Sequence, residues 1–270
     1  MKLSVRDRAF GHALFSNNPM PPVSFAKHII WDRDTPTSDK TIYTDAEIAD
    51  AQNARNVWLL EPRDNQPDVY RAVETVAGFT SVWTHDRYCL DAAAGRAHFV
   101  PFGGCWIQVP HRTIWPKSKN VSIIASHKDG TVGQRMRHEV AKLPGIEAHG
   151  GPYSLLHDKI DGLHPYRFSV AIENHRRDFY FTEKLIDCFA TGTVPIYWGC
   201  PSIGNFFNLD GMVIVDSADD IRSVLPEFDP DLYTSMLPAI EDNFERARSY
   251  YLTEDWLCEQ APGLLDGLIL

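Results

Sequence analysis

The stretch from Tyr166 to Trp198 admits few folds. Tyr166 to Ile172 alternates Phe168, Val170 and Ile172 with Arg167, Ser169 and Ala171, the two-residue period of a strand. Thr182 is a good N-cap, and Leu185, Ile186, Phe189 and Ala190 behind it form one apolar stripe, so a helix is expected from Thr182 to Ala190. Gly192 stands where the glycine that ends such a helix belongs, and Thr193 to Trp198 reads as the next strand. Strand, helix and strand in succession make an α/β unit, which needs a parallel sheet.

The same alternation recurs along the chain. Val57 to Leu60 is a compact strand candidate stopping at Glu61-Pro62. A helix is expected from Pro67 to Val76, with Val69, Tyr70, Val73 and Val76 on one face. Phe79 to Trp83 and Ala97 to Phe102 read as further strands. Residues 1–22 look like a loose lead-in ending in Asn18-Pro19-Met20-Pro21-Pro22, and His111 to Lys119 reads as a linker. Beyond it come a strand from Val121 to Ala125 and a helix from Val132 to Leu143, with Gly145 as its stop signal. Met212 to Val215 is a strand, and Leu232 to Leu257 is largely helical with a kink expected at Pro238. The expectation is an α/β protein of two Rossmann-like domains, 1–115 and 116–270, facing each other across a cleft, with ligands at the carboxyl ends of the strands.

Charge narrows the partner. The net charge of −10 argues against nucleic acid, because neutralising a phosphate backbone takes a basic protein or a basic stripe. A small anion remains open, since a local cluster of Arg and Lys can hold it. No apolar run approaches a membrane span of ~18 residues. Met1 to Phe10 carries Lys2, Arg6, Asp7 and Arg8 and lacks the apolar core of a signal peptide. Five cysteines without a CxxC pair read as reduced thiols, and the expected location is cytoplasmic. No metal site is expected: no HExxH or Asp-x-Asp spacing appears, and His138-Glu139 lacks its second His.

The most informative chemistry lies between Glu173 and Lys184. A strand ends in Glu173-Asn174, and a polar loop crosses to the helix opening with Thr182-Glu183-Lys184. Unpaired N–H groups and a partial positive charge at a helix start suit phosphate, and Lys184 adds a full charge. Glu183 can accept hydrogen bonds from paired ribose hydroxyls, Asn174 can donate and accept, and Tyr180 offers an aromatic surface. Together these suit a nucleoside diphosphate. The residues also admit a plain reading, with Glu183 complementing the helix dipole and Lys184 in solvent.

The run Tyr166-Arg167-Phe168-Ser169-Val170-Ala171-Ile172-Glu173-Asn174, then Tyr180-Phe181-Thr182-Glu183-Lys184-Leu185, then Gly192-Thr193-Val194-Pro195-Ile196-Tyr197-Trp198-Gly199, resembles the signature of glycosyltransferase family 10, the α-1,3/1,4-fucosyltransferases. Order and spacing agree, including nine positions from Asn174 to Glu183. The resemblance implies a GT-B fold, GDP-fucose bound chiefly by the C-terminal domain, and transfer to a glycan acceptor with inversion. It puts Lys184 on the diphosphate, Glu183 on the ribose, and Asn174 and Tyr180 in the donor pocket, with Glu173 beside them. A second family element is a strand ending in Ser-Asn, followed by an Arg on a helix and a glycine turn. Here Ser126-His127, Arg135 and Arg137, and His149-Gly150-Gly151 correspond, with His127 replacing Asn and a loop about two residues longer than expected. Two arginines at i and i+2 point different ways, so one should face the site; Arg135 is the first choice and Arg137 the second.

The first half supplies the other reactant. Val57-Trp58-Leu59-Leu60-Glu61 resembles the strand-then-Glu arrangement of bacterial members, which makes Glu61 the expected general base, with Asp86 as the alternative. Positive charge from Lys184, Arg135 and the helix start would stabilise the leaving diphosphate, so no cofactor is required. Two other functions fit the same residues: transfer from another nucleotide sugar, and a non-catalytic module binding a nucleotide sugar or glycan.

Overall fold

The computed structural model describes residues 1–7, 26–45, 47–48, 55–75, 78–93 and 95–270. They form two compact units. The first comprises Met1–Gly104, Asp178–Tyr180 and Leu252–Leu270; the second comprises Cys105–Arg177 and Phe181–Tyr251.

In the first unit, β1 (Lys2–Arg6), β2 (Ile30–Asp32), β3 (Ile42–Thr44), β4 (Asn56–Leu59), β5 (Ser81–Thr84) and β6 (Ala97–Phe99) lie side by side in the order β2-β1-β3-β4-β5-β6. Every pairing is parallel. Alternate residues of β4 feed two different cores. Trp58 packs with Trp31 and Trp83 on one face, their rings 6.0 and 5.7 Å apart. Val57 and Leu59 pack on the other with Tyr70 and Val73 of α1 (Pro67–Thr75) and Cys89 of α2 (Arg87–Ala92). The face carrying the tryptophans is closed by the chain's last segment, through Leu257 of the helix Thr253–Gln260 and then Leu265 and Leu268. Burial on both faces is why the strands read as short apolar runs.

The second unit repeats the plan. β7 (Lys119–Ile124), β8 (Ile146–His149), β9 (Tyr166–Ile172), β10 (Val194–Trp198) and β11 (Val213–Ile214) are all parallel in the order β11-β10-β9-β7-β8. α3 (Val132–Val140) packs Met136 and Val140 against Phe168, Val170 and Ile172 on one face of β9. α4 (Glu183–Ala190) packs Leu185, Ile186 and Phe189 against the opposite face, which carries Ala171. The helices leaving β7 and β9 therefore take opposite sides, and their strands are neighbours. A crevice opens at the carboxyl ends of such a pair.

The expected strand Tyr166–Ile172 and the helix capped by Thr182 appear with those bounds. Other expectations change. Lys2–Arg6, read as lead-in, is a strand in the interior of the first sheet, with Leu3 and Val5 buried; much of the remaining lead-in lies outside the described residues, as does Val76. β2, β3 and β8 were not expected, because three or four residues are too short for a period to register. Pro238 does not kink a helix: it stands in the first turn of Leu237–Ala247, where a missing N–H costs nothing. The units divide at Gly104 and Cys105 instead of at residue 115, and the last segment returns to the first unit, because Leu257, Leu265 and Leu268 are buried there.

Candidate functional site

In the second unit, the carboxyl ends of β7 and β9 gather the charged residues. Glu173, the first residue after β9, is fully buried and acts as a brace. Its two oxygens accept from the Thr182 N–H at 2.8 Å and the Thr182 hydroxyl at 2.7 Å. The carboxylate thereby ties the start of α4 to the end of β9. Burial raises its pKa, and Lys184, with Nζ 3.6 Å away, works against that rise. Gly199, after β10, completes the fit, since a Cβ there would stand 2.6 Å from Glu173 Cγ.

Lys184 Nζ lies 3.0 Å from both the Thr182 hydroxyl and Glu183 Oε1. Burial works to raise the Glu183 carboxyl, but Lys184 and then Lys159 outweigh it and bring it down to about 2. Glu183 therefore stays ionised at neutral pH and can only accept hydrogen bonds. One turn further along α4, buried Asp187 pairs with Lys159 at 2.6 Å and accepts from the Trp106 N–H at 2.7 Å.

α3 starts against the same strand end. Thr131 and Gln134 form a capping box, each side chain meeting the other's backbone N–H. Gly133 N–H donates to the Asn174 carbonyl at 3.2 Å. A Cβ on Gly133 would stand 1.7 Å from the Glu173 carbonyl oxygen, so this approach needs glycine. Arg137, buried, donates to Asn174 Oδ1. Arg135 is exposed on the other side of the helix and holds the Asp129 and Gly130 carbonyls, each at 3.2 Å. Two helix N-termini and two cationic side chains thus converge on Glu173-Asn174. Ser126 is exposed at the end of β7, and its hydroxyl accepts from Lys128 N–H at 3.4 Å.

In the first unit, Glu61 follows β4. Its N–H is 3.3 Å from Asp45 Oδ1, its carbonyl accepts from the Tyr70 hydroxyl at 2.9 Å, and Oε2 accepts from Asn65 at 2.8 Å. Asp86 is otherwise engaged. It caps α2 by accepting from Cys89 N–H at 2.7 Å, and it pairs with Arg63 at 2.7 and 3.2 Å. Arg63 also pairs with Glu74 and lies between the rings of Tyr70 and Tyr88. Tyr180 belongs to this unit: it is buried, with His85 5.0 Å and Phe102 6.1 Å from its ring. Of the residues expected in a donor pocket, the second unit brings together Glu173, Asn174, Glu183, Lys184 and Arg137. Arg135 and Ser126 flank them, and Tyr180 lies with the first unit. Sequence reasoning missed Gly133, Lys159 and Asp45; Gly133 alone carried a signal, as a glycine in the first turn of a helix.

Among the described residues, no three His, Cys, Asp or Glu side chains gather as a metal site, and no helix is long and apolar enough to cross a membrane.

Comparison with known proteins places this geometry. The family model for the C-terminal part of glycosyltransferase family 10 (fucosyltransferase) matches residues 115–224, which include the whole Glu173–Lys184 cluster and Arg137. The α-(1,3)-fucosyltransferase FucT of Helicobacter pylori is 41% identical over 58 residues, 22% of this chain and 12% of that protein. A fucosyltransferase-like protein of Arabidopsis thaliana is 34% identical over 68 residues, 25% of this chain and 13% of that one. The matched segments thus span about an eighth of these relatives. A crystal structure of an α1,3-fucosyltransferase superposes with a TM-score of 0.54 at 16% identity, covering 90% of this chain and 81% of that one. TarM superposes at 0.52 with 12% identity, covering 85% of this chain and 55% of that one. At such identities these likenesses establish the fold: two parallel-sheet domains of the GT-B class. The similarity to glycosyltransferase family 10 (fucosyltransferase) is thus carried by residues 115–224.

Proposed function

We propose that the protein transfers fucose from GDP-fucose to a hydroxyl of a glycan, with inversion and with Glu61 as general base. The observation that carries this reading is the convergence of two helix N-termini, Arg137 and Lys184 on Glu173-Asn174, inside the segment that matches the family. A diphosphate at that point accepts from both cations, with the partial positive charge of the α3 and α4 N-termini behind them. Arg137 takes the role that the sequence alone assigned first to Arg135, because its guanidinium is the one turned toward Asn174. Glu183, ionised, accepts from the ribose hydroxyls. A structure of a related α1,3-fucosyltransferase contains GDP-fucose, and another contains GDP, which supports this choice of donor.

In the reaction the acceptor oxygen attacks the anomeric carbon opposite the leaving group. The bond from that carbon to the β-phosphate oxygen breaks, and GDP leaves with the electron pair. Glu61 takes the proton of the acceptor hydroxyl. Arg137, Lys184 and the helix N-termini balance the charge gathering on the diphosphate, so the reading calls for no divalent cation.

Calorimetry with GDP, UDP and ADP tests the donor: GDP should bind and the other two should not. Binding of UDP without GDP would replace GDP-fucose by another nucleotide sugar. GDP release from GDP-fucose, followed on a glycan array, tests the transfer. A protein that binds GDP yet neither hydrolyses the donor nor labels a glycan is a binding module.

A further inference from the structure

The segment that carries Glu61 is held on several sides by buried groups. Asp45, at the carboxyl end of β3, lies beside the end of β4. Its Oδ1 accepts from Leu60 N–H at 2.9 Å and Glu61 N–H at 3.3 Å, and Oδ2 stands 3.4 Å from the same Glu61 nitrogen. From the other side His85 Nε2 donates to the Leu60 carbonyl at 2.8 Å. The Tyr70 hydroxyl donates to the Glu61 carbonyl.

Asp45 holds this place at a cost. Its φ is 42°, in the left-handed region, where a residue with a Cβ is strained by about 1 kcal/mol or more. Its side chain is buried, and among the described residues no cation pairs with it. A buried carboxylate without a counter-charge normally gives way to a neutral residue. What the carboxylate does here is grip the two successive amides that set the position of Glu61. An Asx-type grip on a loop is common, but here the gripped loop carries the residue read above as the base.

We propose that Asp45 is a positioning residue for the transfer, fixing the Glu61 carboxylate through the Leu60 and Glu61 amides. The inference rests on the assignment of Glu61 as base. The electrostatics agree with it. Burial first, and then the charge of Glu61, push Asp45 up to about 7. Glu61, Tyr70 and His85 are the titratable groups around it: burial raises the Tyr70 hydroxyl and lowers His85, so both stay neutral near pH 7. Above that pH the ionised carboxylate grips both amides through charge-assisted bonds.

The test compares Asp45→Asn and Asp45→Gly with Glu61→Gln. Asn tolerates the left-handed backbone and keeps one accepting oxygen, and Gly removes the side chain without backbone strain. GDP release from GDP-fucose should fall about tenfold in Asp45→Asn and about a hundredfold in Asp45→Gly, a loss in kcat with KM for GDP-fucose unchanged. Amide exchange at Leu60 and Glu61 should quicken in both variants, and GDP affinity should stay at the wild-type value. In the wild type, the Leu60 and Glu61 amide shifts should titrate near pH 7, and Asp45→Asn should abolish that titration. Wild-type kcat in both Asp45 variants, with Glu61→Gln inactive, overturns the positioning role and leaves the base in place. Full turnover by Glu61→Gln overturns the base and this proposal with it.

Discussion

Around the second sheet the buried carboxylates Glu173 and Asp187 each meet a lysine, Lys184 at 3.6 Å and Lys159 at 2.6 Å. In the first unit Asp45 and Glu254 are just as buried, yet no cation among the described residues pairs with either. The two sheets share their order, with the second strand outside the first and the third on its other side. Topology therefore does not divide the chemistry; the residues at the strand ends do. One set of ends pairs its carboxylates with lysines beside two helix N-termini, suited to an anionic leaving group. The other presents carboxylates, suited to taking a proton. The transfer proposed above calls on both kinds of group, and a parallel sheet exposes loop residues for either purpose at its carboxyl edge.

That division can be broken from either side. Glu61→Gln should lower transfer by about 10²–10⁴-fold, the usual worth of a general base, and leave GDP affinity near the wild-type value in calorimetry. Lys184→Ala and Arg137→Ala should weaken GDP binding as well, each by about 1.5–3 kcal/mol, the range of a hydrogen bond to a charged group. Arg135→Ala is the control, because its guanidinium holds loop carbonyls, and its GDP affinity should be unchanged. Equal losses in the two arginine variants would mean that Arg137 is not the one on the diphosphate.

Gly133→Ala tests the junction of α3 with β9. A methyl group 1.7 Å from the Glu173 carbonyl must push the strand end and the helix apart. The expected outcome is a loss of about 1–3 kcal/mol in denaturant unfolding, together with weaker GDP binding. A stable variant with altered GDP binding would show that the junction serves the ligand more than the fold.

The smallest effect concerns Glu254. It is buried, it accepts from Trp31 Nε1 at 3.1 Å, and burial lifts it from 4.5 to about 7. The folded state keeps this proton between pH 4.5 and about 7 while the unfolded chain releases it. Its contribution to stability is therefore fully present below pH 4.5 and declines as pH rises to about 7. Glu254→Gln keeps the acceptor for Trp31 and removes the charge. Its melting temperature should exceed the wild type's at pH 8, by about 2–4 °C for each kcal/mol recovered, and converge with it at pH 4.5. Parallel melting curves across that range would show that Glu254 is charged when buried.

Much of the second unit was legible along the chain. The alternation in β9, the Thr182 cap, the apolar stripe of α4 and Gly192 after it all act over a few residues, and each took its expected place. The first unit was less legible. β2 and β3 have three residues each, too few for periodicity, and Lys2–Arg6 shows only two buried apolar positions in a polar setting. Glu61 stood out as a candidate because it ends a clear apolar strand. Asp45 was missed because it follows a strand that is not clear.

By itself, the sequence determined the α/β units, the capped helix beside Glu173-Asn174 and the resemblance to a family of transferases. All of these rest on local spacing or on residue order, which survive without coordinates. Only the tertiary structure decided which arginine faces the strand end, that Asp86 is held by Arg63, and that Asp45 reaches the amide of Glu61. Arg137 meets Asn174 across 37 positions and Asp45 meets Glu61 across 16. Meetings over such separations follow from which strands are neighbours, and strand order is set by packing on both faces of the sheet, which no local pattern records.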